Sequence, residues 1–206
     1  MKKTFIVILI VMCSFSVFAA DADHARPYNK GLDIAGAVIQ LSTMAFAAIL
    51  LREARSEYPI LVVMGIETFG LAYGAKELVK HLVERQRPYT YFPGAPLEDI
   101  REWAMSFPSG HVVLAFSYAT FTSYVFCKYN PDSKAKLPVC IISYSLACAT
   151  GILRVACGSH FVTDVLAGAA IGAAIGFVVP YIHTLFVKNI SASASPFGFA
   201  FKINLK

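Results

Sequence analysis

Three short segments of the sequence carry side chains that could bind and transfer a phosphoryl group. The first motif, KHLVERQRP, runs from Lys80 to Pro88 and places Lys80 and Arg87 seven residues apart. Seven residues are nearly two turns of an α-helix, so a helical segment would present both cations on one face. Two cations on one face are suited to holding the oxygens of an anion.

The second motif, Pro108 to His111, stands immediately before an apolar run. Ser109 is a residue type that caps helix N-termini, and Gly110 allows a close approach to the backbone. The free N–H groups and the dipole at a helix start favour an anion, phosphate especially. His111 adds a group able to transfer a proton there.

The third motif places Arg154 ahead of His160 and Asp164. If this stretch is helical, His160 and Asp164 are i,i+4 neighbours and the carboxylate can reach the imidazole. We expect such a contact to fix the tautomer and to leave the other ring nitrogen basic, as an orienting acid does in a catalytic triad.

Each motif alone also has a plain structural explanation. Lys80 and Arg87 could be a snorkelling helix end, Ser109 could merely begin a helix, and His160 with Asp164 could be a structural polar pair. Together they favour phosphoryl chemistry, in which cations and backbone N–H groups hold the oxygens. One histidine would then attack while the other transfers a proton.

The elements that must position these residues are membrane helices. The chain has 206 residues, of which 57% are hydrophobic and 15% charged, with a mean hydropathy of +0.60. Soluble domains are nearer 45–50% apolar and about 25% charged. This composition excludes most soluble classes, intrinsic disorder and a nucleic-acid-binding tail. Between Leu137 and Val187 the only formally charged side chains are Arg154 and Asp164.

Apolar stretches near the length that a spanning helix needs, about 20 residues, occur at 32–51, 60–79, 110–127, 137–155 and 162–187. Backbone groups in lipid must be hydrogen bonded internally, which favours helices. Residues 1–20 have the layout of a secretory signal peptide, the interpretation we favour, or of a first spanning helix. We therefore predict an all-α, polytopic transmembrane bundle of five or six spanning helices.

Three further patterns refine this organisation. Residues 30–190 form the predicted membrane domain, and residues 191–206 a short tail in which apolar residues alternate, as in a strand or an interfacial segment. Gly168, Gly172 and Gly176 recur every fourth residue, a spacing that lets another helix approach closely. The five cysteines show no zinc-ligand spacing, and we expect neither a metal nor a cofactor.

Basic residues predict the orientation, because they mark the cytoplasmic side of a membrane protein. They follow the stretches at 32–51, 110–127 and 162–187. All three motifs then belong to the opposite, external face. We expect a multi-pass protein of a bacterial inner membrane, with its site facing the periplasm or the exterior.

The three motifs, in their order and helix placement, resemble the signature motifs of the type 2 phosphatidic acid phosphatase superfamily. The resemblance extends over about residues 60–190. One position departs from the pattern: the family commonly has Ser before the arginine of the third motif, whereas this chain has Leu153. That difference puts one polar contact near the phosphate in doubt.

The resemblance implies a role for each motif residue. His160 resembles the nucleophile that forms a phosphohistidine, with Asp164 holding its other ring nitrogen. His111 resembles the general acid that protonates the leaving group and then activates water. The residues expected to bind the phosphate oxygens are Lys80, Arg87, Arg154, Ser109 and the Gly110 N–H.

The leading hypothesis is an integral-membrane phosphatase acting on a lipid phosphate or pyrophosphate, without a metal and without a nucleic-acid partner. A lipid phosphotransferase with the same site is an alternative. A second alternative, from another class, is an anion or lipid transporter with no covalent step, because transporters also place charges at helix breaks. The motifs contact only phosphate, so they do not distinguish one lipid from another, and they leave the oligomeric state unknown.

Overall fold

The computed structural model describes residues 25–51, 58–94, 100–186, 190–195 and 198–203. The predicted signal peptide, residues 1–20, lies outside these ranges. The α-helices in the described ranges are α1 Lys30–Leu51, α2 Tyr58–Val83, α3 Gly110–Tyr129, α4 Lys136–Ala156 and α5 Val162–Phe186. Two short 3-10 helices, Pro88–Tyr91 and Ile100–Ala104, lie between α2 and α3.

The helices form a membrane bundle, which confirms the predicted all-α, polytopic class. The prediction of five or six spanning helices compares with four candidate spans in the described residues. Within the described ranges, α1, α3, α4 and α5 are each long and apolar enough to cross a bilayer. The remaining helix, α2, is 26 residues long and packs beside α3 and α5. The five apolar stretches of the sequence thus correspond to the five helices, with ends that differ by a few residues.

Helix α3 is the centre of the bundle, since it contacts each of the other four helices. Its side chains Val112, Val113 and Ala115 are fully buried near its start, and Phe121 is fully buried further along. At the end of the bundle away from the three motifs, Phe121 joins an apolar cluster that includes Leu61, Met64, Val125 and Val179. This apolar cluster packs α2, α3 and α5 against one another at that end of the bundle.

The predicted close approach of the glycine-rich helix is confirmed, and the partner is α3. A Cβ added at Gly172 would lie 2.3 Å from the carbonyl oxygen of Val113, and one at Gly176 would lie 2.1 Å from that of Ser117. As the contacts advance along α5 they also advance along α3, so the two helices are parallel. Their N-termini consequently lie at the same end of the bundle.

The tail adopts the strand alternative. Strands β1 Ile190–Ser195 and β2 Gly198–Ile203 pair antiparallel, with Ile190 opposite Ile203. The prediction of an all-α class therefore holds for the membrane domain, and a small hairpin follows it.

Candidate active site

The three motifs meet at one end of the bundle. Lys80 lies in the last turn of α2, His111 in the first turn of α3, Arg154 in the last turn of α4 and Asp164 in the first turn of α5. His160 lies in the connection between α4 and α5. The exposed fractions are 7% for Lys80, 6% for Arg87, 3% for Arg154, 2% for His160 and 0% for Asp164. In a chain so poor in charge, this is a concentrated and buried polar cluster.

The first motif is not one continuous helix, and the prediction that Lys80 and Arg87 share a helical face was wrong. Helix α2 ends at Val83, and Glu84 adopts a left-handed backbone with φ 47°. Arg87 follows in extended backbone, with φ −80° and ψ 151°. The chain therefore turns after α2, and both cations are still close enough to His160 for their charges to lower its pKa.

Arg87 is held by the segment that leads toward α3. Its backbone N–H donates to the carbonyl oxygen of Trp103 (2.8 Å), and its Nε donates to that of Glu102 (2.8 Å). Its Nη2 also forms an ion pair with the Glu102 carboxylate. These contacts hold the guanidinium in one orientation beside the site.

His160 has a different partner from the one predicted. Its Nδ1 lies 2.8 Å from the carbonyl oxygen of Ser106 and 3.7 Å from Oδ2 of Asp164. The direct hydrogen bond to Asp164 that we expected is therefore replaced by one to the Ser106 backbone. The physical reason is that α5 begins at Val162, so His160 precedes the helix and i,i+4 geometry does not apply.

Asp164 joins the three motifs instead. Its carboxylate accepts hydrogen bonds from Nη1 of Arg85 (2.5 Å), from Oγ of Ser106 (2.5 Å) and from the Phe161 backbone N–H (2.9 Å). Its backbone carbonyl accepts from the N–H of Ser109 (3.0 Å). The sequence reasoning missed Arg85 and Ser106, although Arg85 stood in the first motif as a charged residue without a role.

The second motif begins α3 as predicted, but its serine does not cap the helix. Ser109 occupies the N-cap position without a side-chain hydrogen bond to the helix. Within the described residues its buried Oγ has no partner. Gly110 is closely packed, since a Cβ there would lie 2.8 Å from Cδ of Lys76. The Ser109 hydroxyl and the N–H groups at the start of α3 are thus available for an anion.

Arg154 of the third motif is paired with a residue that the sequence reasoning did not identify. Its Nη1 lies 2.7 Å from Oδ1 of Asp33 on α1, and Oγ of Ser159 donates to the same carboxylate oxygen (2.7 Å). Leu153, the departure from the family pattern, lies against α1, because a Cβ at Gly36 would be 3.4 Å from the Leu153 Cβ. The leucine contributes to packing between α1 and α4.

Burial, together with the charge of the site, keeps His160 neutral. Burial first, and then the nearby charges of Arg87, Arg154 and Lys80, lower the pKa of His160 well below the ordinary 6.5. The imidazole is therefore unprotonated at neutral pH. A neutral ring with one nitrogen bonded to a carbonyl has its other nitrogen available as a nucleophile or base.

The sequence is similar to those of known proteins. The family profile described as PAP2 superfamily matches residues 60–188, more than half of the chain. Phosphatidylglycerophosphatase B of Bacillus subtilis (strain 168) is 39% identical over 112 residues, which are 54% of this chain and 52% of that protein. Lipid A 1-phosphatase of Porphyromonas gingivalis is 31% identical over 103 residues, 50% of this chain and 20% of that protein.

One solved structure is also similar. It is described as the first transmembrane PAP2-type phosphatidylglycerolphosphate phosphatase from Bacillus subtilis, with 26% identity and a TM-score of 0.45, covering 83% of this chain and 94% of that chain. The matched region spans about half the length of the first curated relative and a fifth of the second.

Proposed function

Because the chain belongs to the PAP2 superfamily, we propose that it is an integral-membrane phosphatase that hydrolyses a lipid phosphate or lipid pyrophosphate. The observation that carries the proposal is the set of buried cations, Lys80, Arg87 and Arg154, grouped with two histidines at one end of a membrane bundle. Buried charge in such a bundle is costly and marks a functional site. The names of two relatives, which refer to phosphorylated lipids, support this substrate class.

In the bound state, Lys80, Arg87 and Arg154 would hold the non-bridging oxygens of the phosphate. The Ser109 hydroxyl and the Gly110 N–H would complete the cradle at the start of α3, where the helix dipole favours an anion. These groups neutralise the charge that builds up on the oxygens in the transition state. We therefore propose that the reaction proceeds without a metal.

The first chemical step is attack by Nε2 of His160 on phosphorus. The P–O bond to the leaving group breaks, and His111, protonated in the complex with the anionic phosphate, gives its proton to the departing oxygen. The products are a phosphohistidine and a lipid alcohol, or a lipid monophosphate when the substrate is a pyrophosphate. The Ser106 carbonyl accepts the Nδ1–H and stabilises the positive charge on the ring. Asp164 accepts a hydrogen bond from the Ser106 hydroxyl and so positions Ser106. Through the Ser106 carbonyl, Asp164 then orients His160 indirectly.

The second step regenerates the enzyme. His111, now neutral, takes a proton from water while the water oxygen attacks phosphorus. The P–N bond breaks, the electron pair returns to His160, and orthophosphate leaves. The same side chain thus serves as acid and then as base.

We also propose that the site faces the periplasm or the exterior from a bacterial inner membrane. The support is the opposite end of the bundle, where Lys128 and Lys134 are exposed, as is typical of a cytoplasmic side. On intact spheroplasts, a membrane-impermeant thiol reagent should label Gly94→Cys above the wild-type background and should not label Lys134→Cys. The reverse pattern would contradict this orientation.

The decisive experiment is to incubate the purified protein in detergent with a panel of glycerolipid, prenyl and saccharide lipid phosphates. Each reaction is followed for orthophosphate and for the dephosphorylated lipid, with and without a chelator. We expect equal release of both from at least one substrate, unchanged by the chelator. Dephosphorylation without orthophosphate would indicate transfer to another acceptor, and no turnover of any substrate would contradict the proposed function.

A further inference from the structure

A segment outside the matched family region, residues 26–33, packs directly on the third motif. The N–H of Asn29 donates to the carbonyl oxygen of Cys157 (3.0 Å). Gly158 has φ +77°, and a Cβ there would lie 2.5 Å from the carbonyl oxygens of Arg26 and Pro27. The close approach of two backbones therefore requires glycine at this position, and the N-terminal segment covers the turn that carries His160.

Asp33 is the charged group that this segment delivers to the site. Its Oδ1 lies 2.7 Å from Nη1 of Arg154, accepts the Ser159 hydroxyl at 2.7 Å and lies 3.6 Å from Sγ of Cys157. The Arg154 side chain is 3% exposed and the Asp33 side chain 25%. The carboxylate is held by its neighbours, so it can in turn hold the guanidinium.

The geometry leaves part of the guanidinium available. Asp33 lies within ion-pair distance of Nη1, and neither Nη1 nor the buried Nε of Arg154 has a hydrogen-bond partner among the residues that the structure describes. A guanidinium is planar and presents its donors in a fixed fork, so fixing one nitrogen fixes the directions of the others. A buried donor without a partner is costly, and an oxygen of the substrate phosphate would satisfy it.

We infer that Asp33 is a positioning residue that aims Arg154 at the substrate phosphate, and that residues 26–33 are therefore part of the active site. The inference rests on the proposed function and extends it to a helix outside the three motifs. Glu102 holds Arg87 in the same manner. The two arginines that bind the phosphate would then each depend on a carboxylate from another part of the chain.

The test is a double-mutant cycle in detergent-purified protein, with kcat/KM for a lipid phosphate as the readout. Asp33→Ala should lower kcat/KM by about 10- to 100-fold, the scale expected when a catalytic group is misplaced by about 1 Å. Asp33→Asn keeps an acceptor oxygen and should lose less. Asp132→Ala, the matched control, removes an exposed carboxylate from the α3–α4 connection and should leave kcat/KM unchanged.

Measuring Asp33→Ala in an Arg154→Ala background distinguishes a positioning role of Asp33 from a general contribution to folding. If Asp33 acts through Arg154, then Asp33→Ala should cause little further loss in an Arg154→Ala protein, because effects that pass through one residue are not additive. Equal losses in both backgrounds, or wild-type activity of Asp33→Ala, would overturn the inference. If Asp33→Ala does not fold, the same comparison is made with Asp33→Asn.

A binding readout separates this inference from the proposed function. Orthovanadate should raise the thermal unfolding temperature of the wild-type protein more than that of Asp33→Ala, whether or not a lipid is hydrolysed. If no lipid phosphate is turned over, the proposed function fails while this shift still tests Asp33. If the wild-type protein hydrolyses a lipid phosphate but orthovanadate raises the unfolding temperature of both proteins equally, only the inference about Asp33 fails.

Discussion

Positively charged side chains have opposite environments at the two ends of the bundle. At the motif end the three arginines of the motifs have side chains that are at most 8% exposed, and each is paired with a carboxylate: Arg85 with Asp164, Arg87 with Glu102 and Arg154 with Asp33. At the other end Lys128 and Lys134 are exposed. Buried charges are costly unless they are paired and hydrogen bonded, whereas exposed charges cost little. This difference agrees with the proposed function, in which the motif end binds phosphate, and with the proposed orientation, in which the other end faces the cytoplasm.

The largest expected effect comes from replacing one histidine by alanine at each end of the bundle. His160→Ala should lower the rate of phosphate release by at least about 1,000-fold, because it removes the proposed nucleophile. His183→Ala is the matched control, since His183 pairs with Glu67 at a distance of 2.5 Å and lies at the opposite end of α5. Phosphate release and trapping of a phosphoenzyme measure both variants. Wild-type release by His160→Ala would refute its assignment as the nucleophile.

A cation from each end gives the next contrast. Arg87→Ala should lower kcat/KM by about 100- to 1,000-fold, the usual effect of removing one group that stabilises transition-state charge. Lys134→Ala removes an exposed cation from the opposite end and should leave kcat/KM within experimental error. Steady-state kinetics on a lipid phosphate tests both. Similar losses in the two variants would show that total charge, rather than the site, governs activity.

The helix contact that joins the two ends should be sensitive to one methyl group. Gly176→Ala places a Cβ 2.1 Å from the Ser117 carbonyl oxygen, and we expect overpacking to cost about 1–3 kcal/mol of stability. Gly70→Ala is the control, because a Cβ there meets nothing within 4 Å. Thermal unfolding in detergent compares the two. An unchanged midpoint for Gly176→Ala would mean that α3 and α5 can separate at no cost.

The smallest effect concerns pH. Because the pKa of His160 is lowered well below 6.5, its neutral, nucleophilic form persists as the pH falls through that value and is lost only at more acidic pH. Phosphoenzyme formation from an aryl phosphate, whose leaving group needs no acid, should therefore show no inflection near pH 6.5. Arg87→Ala removes a nearby cation and should move the acidic limb upward. An inflection at 6.5 in the wild-type protein would contradict the lowered pKa.

The helices and the motif residues could be predicted because their signals are local. Each apolar stretch became a helix, and the glycine spacing in α5 indicated a close helix contact, since both patterns depend on neighbours within a few turns. The residue types in the three motifs predicted which side chains would lie close together. The shape of the first motif could not be predicted, because Glu84 leaves the helical conformation although its residue type does not require this.

The partners inside the site could not be predicted, because they come from distant parts of the chain. Arg85 and Asp164 are 79 residues apart, Ser106 and Asp164 are 58 apart, and Asp33 and Ser159 are 126 apart. No spacing rule connects such positions. The assumption that His160 belongs to a helix then produced the wrong partner, since α5 begins only at Val162.

The glycine contact between α3 and α5 has a further consequence. His111 lies in the first turn of α3, and His160 lies just before α5. Where Gly168, Gly172 and Gly176 of α5 meet α3, the two backbones touch with no side chain between them. Backbone atoms at a helix contact cannot change rotamer. We therefore expect the contact between α3 and α5 to resist small sliding motions of the two helices when the bilayer or the lipid tail varies. We therefore expect the spacing between His111 and His160, the proposed proton donor and nucleophile, to change little when lipids of different shape bind.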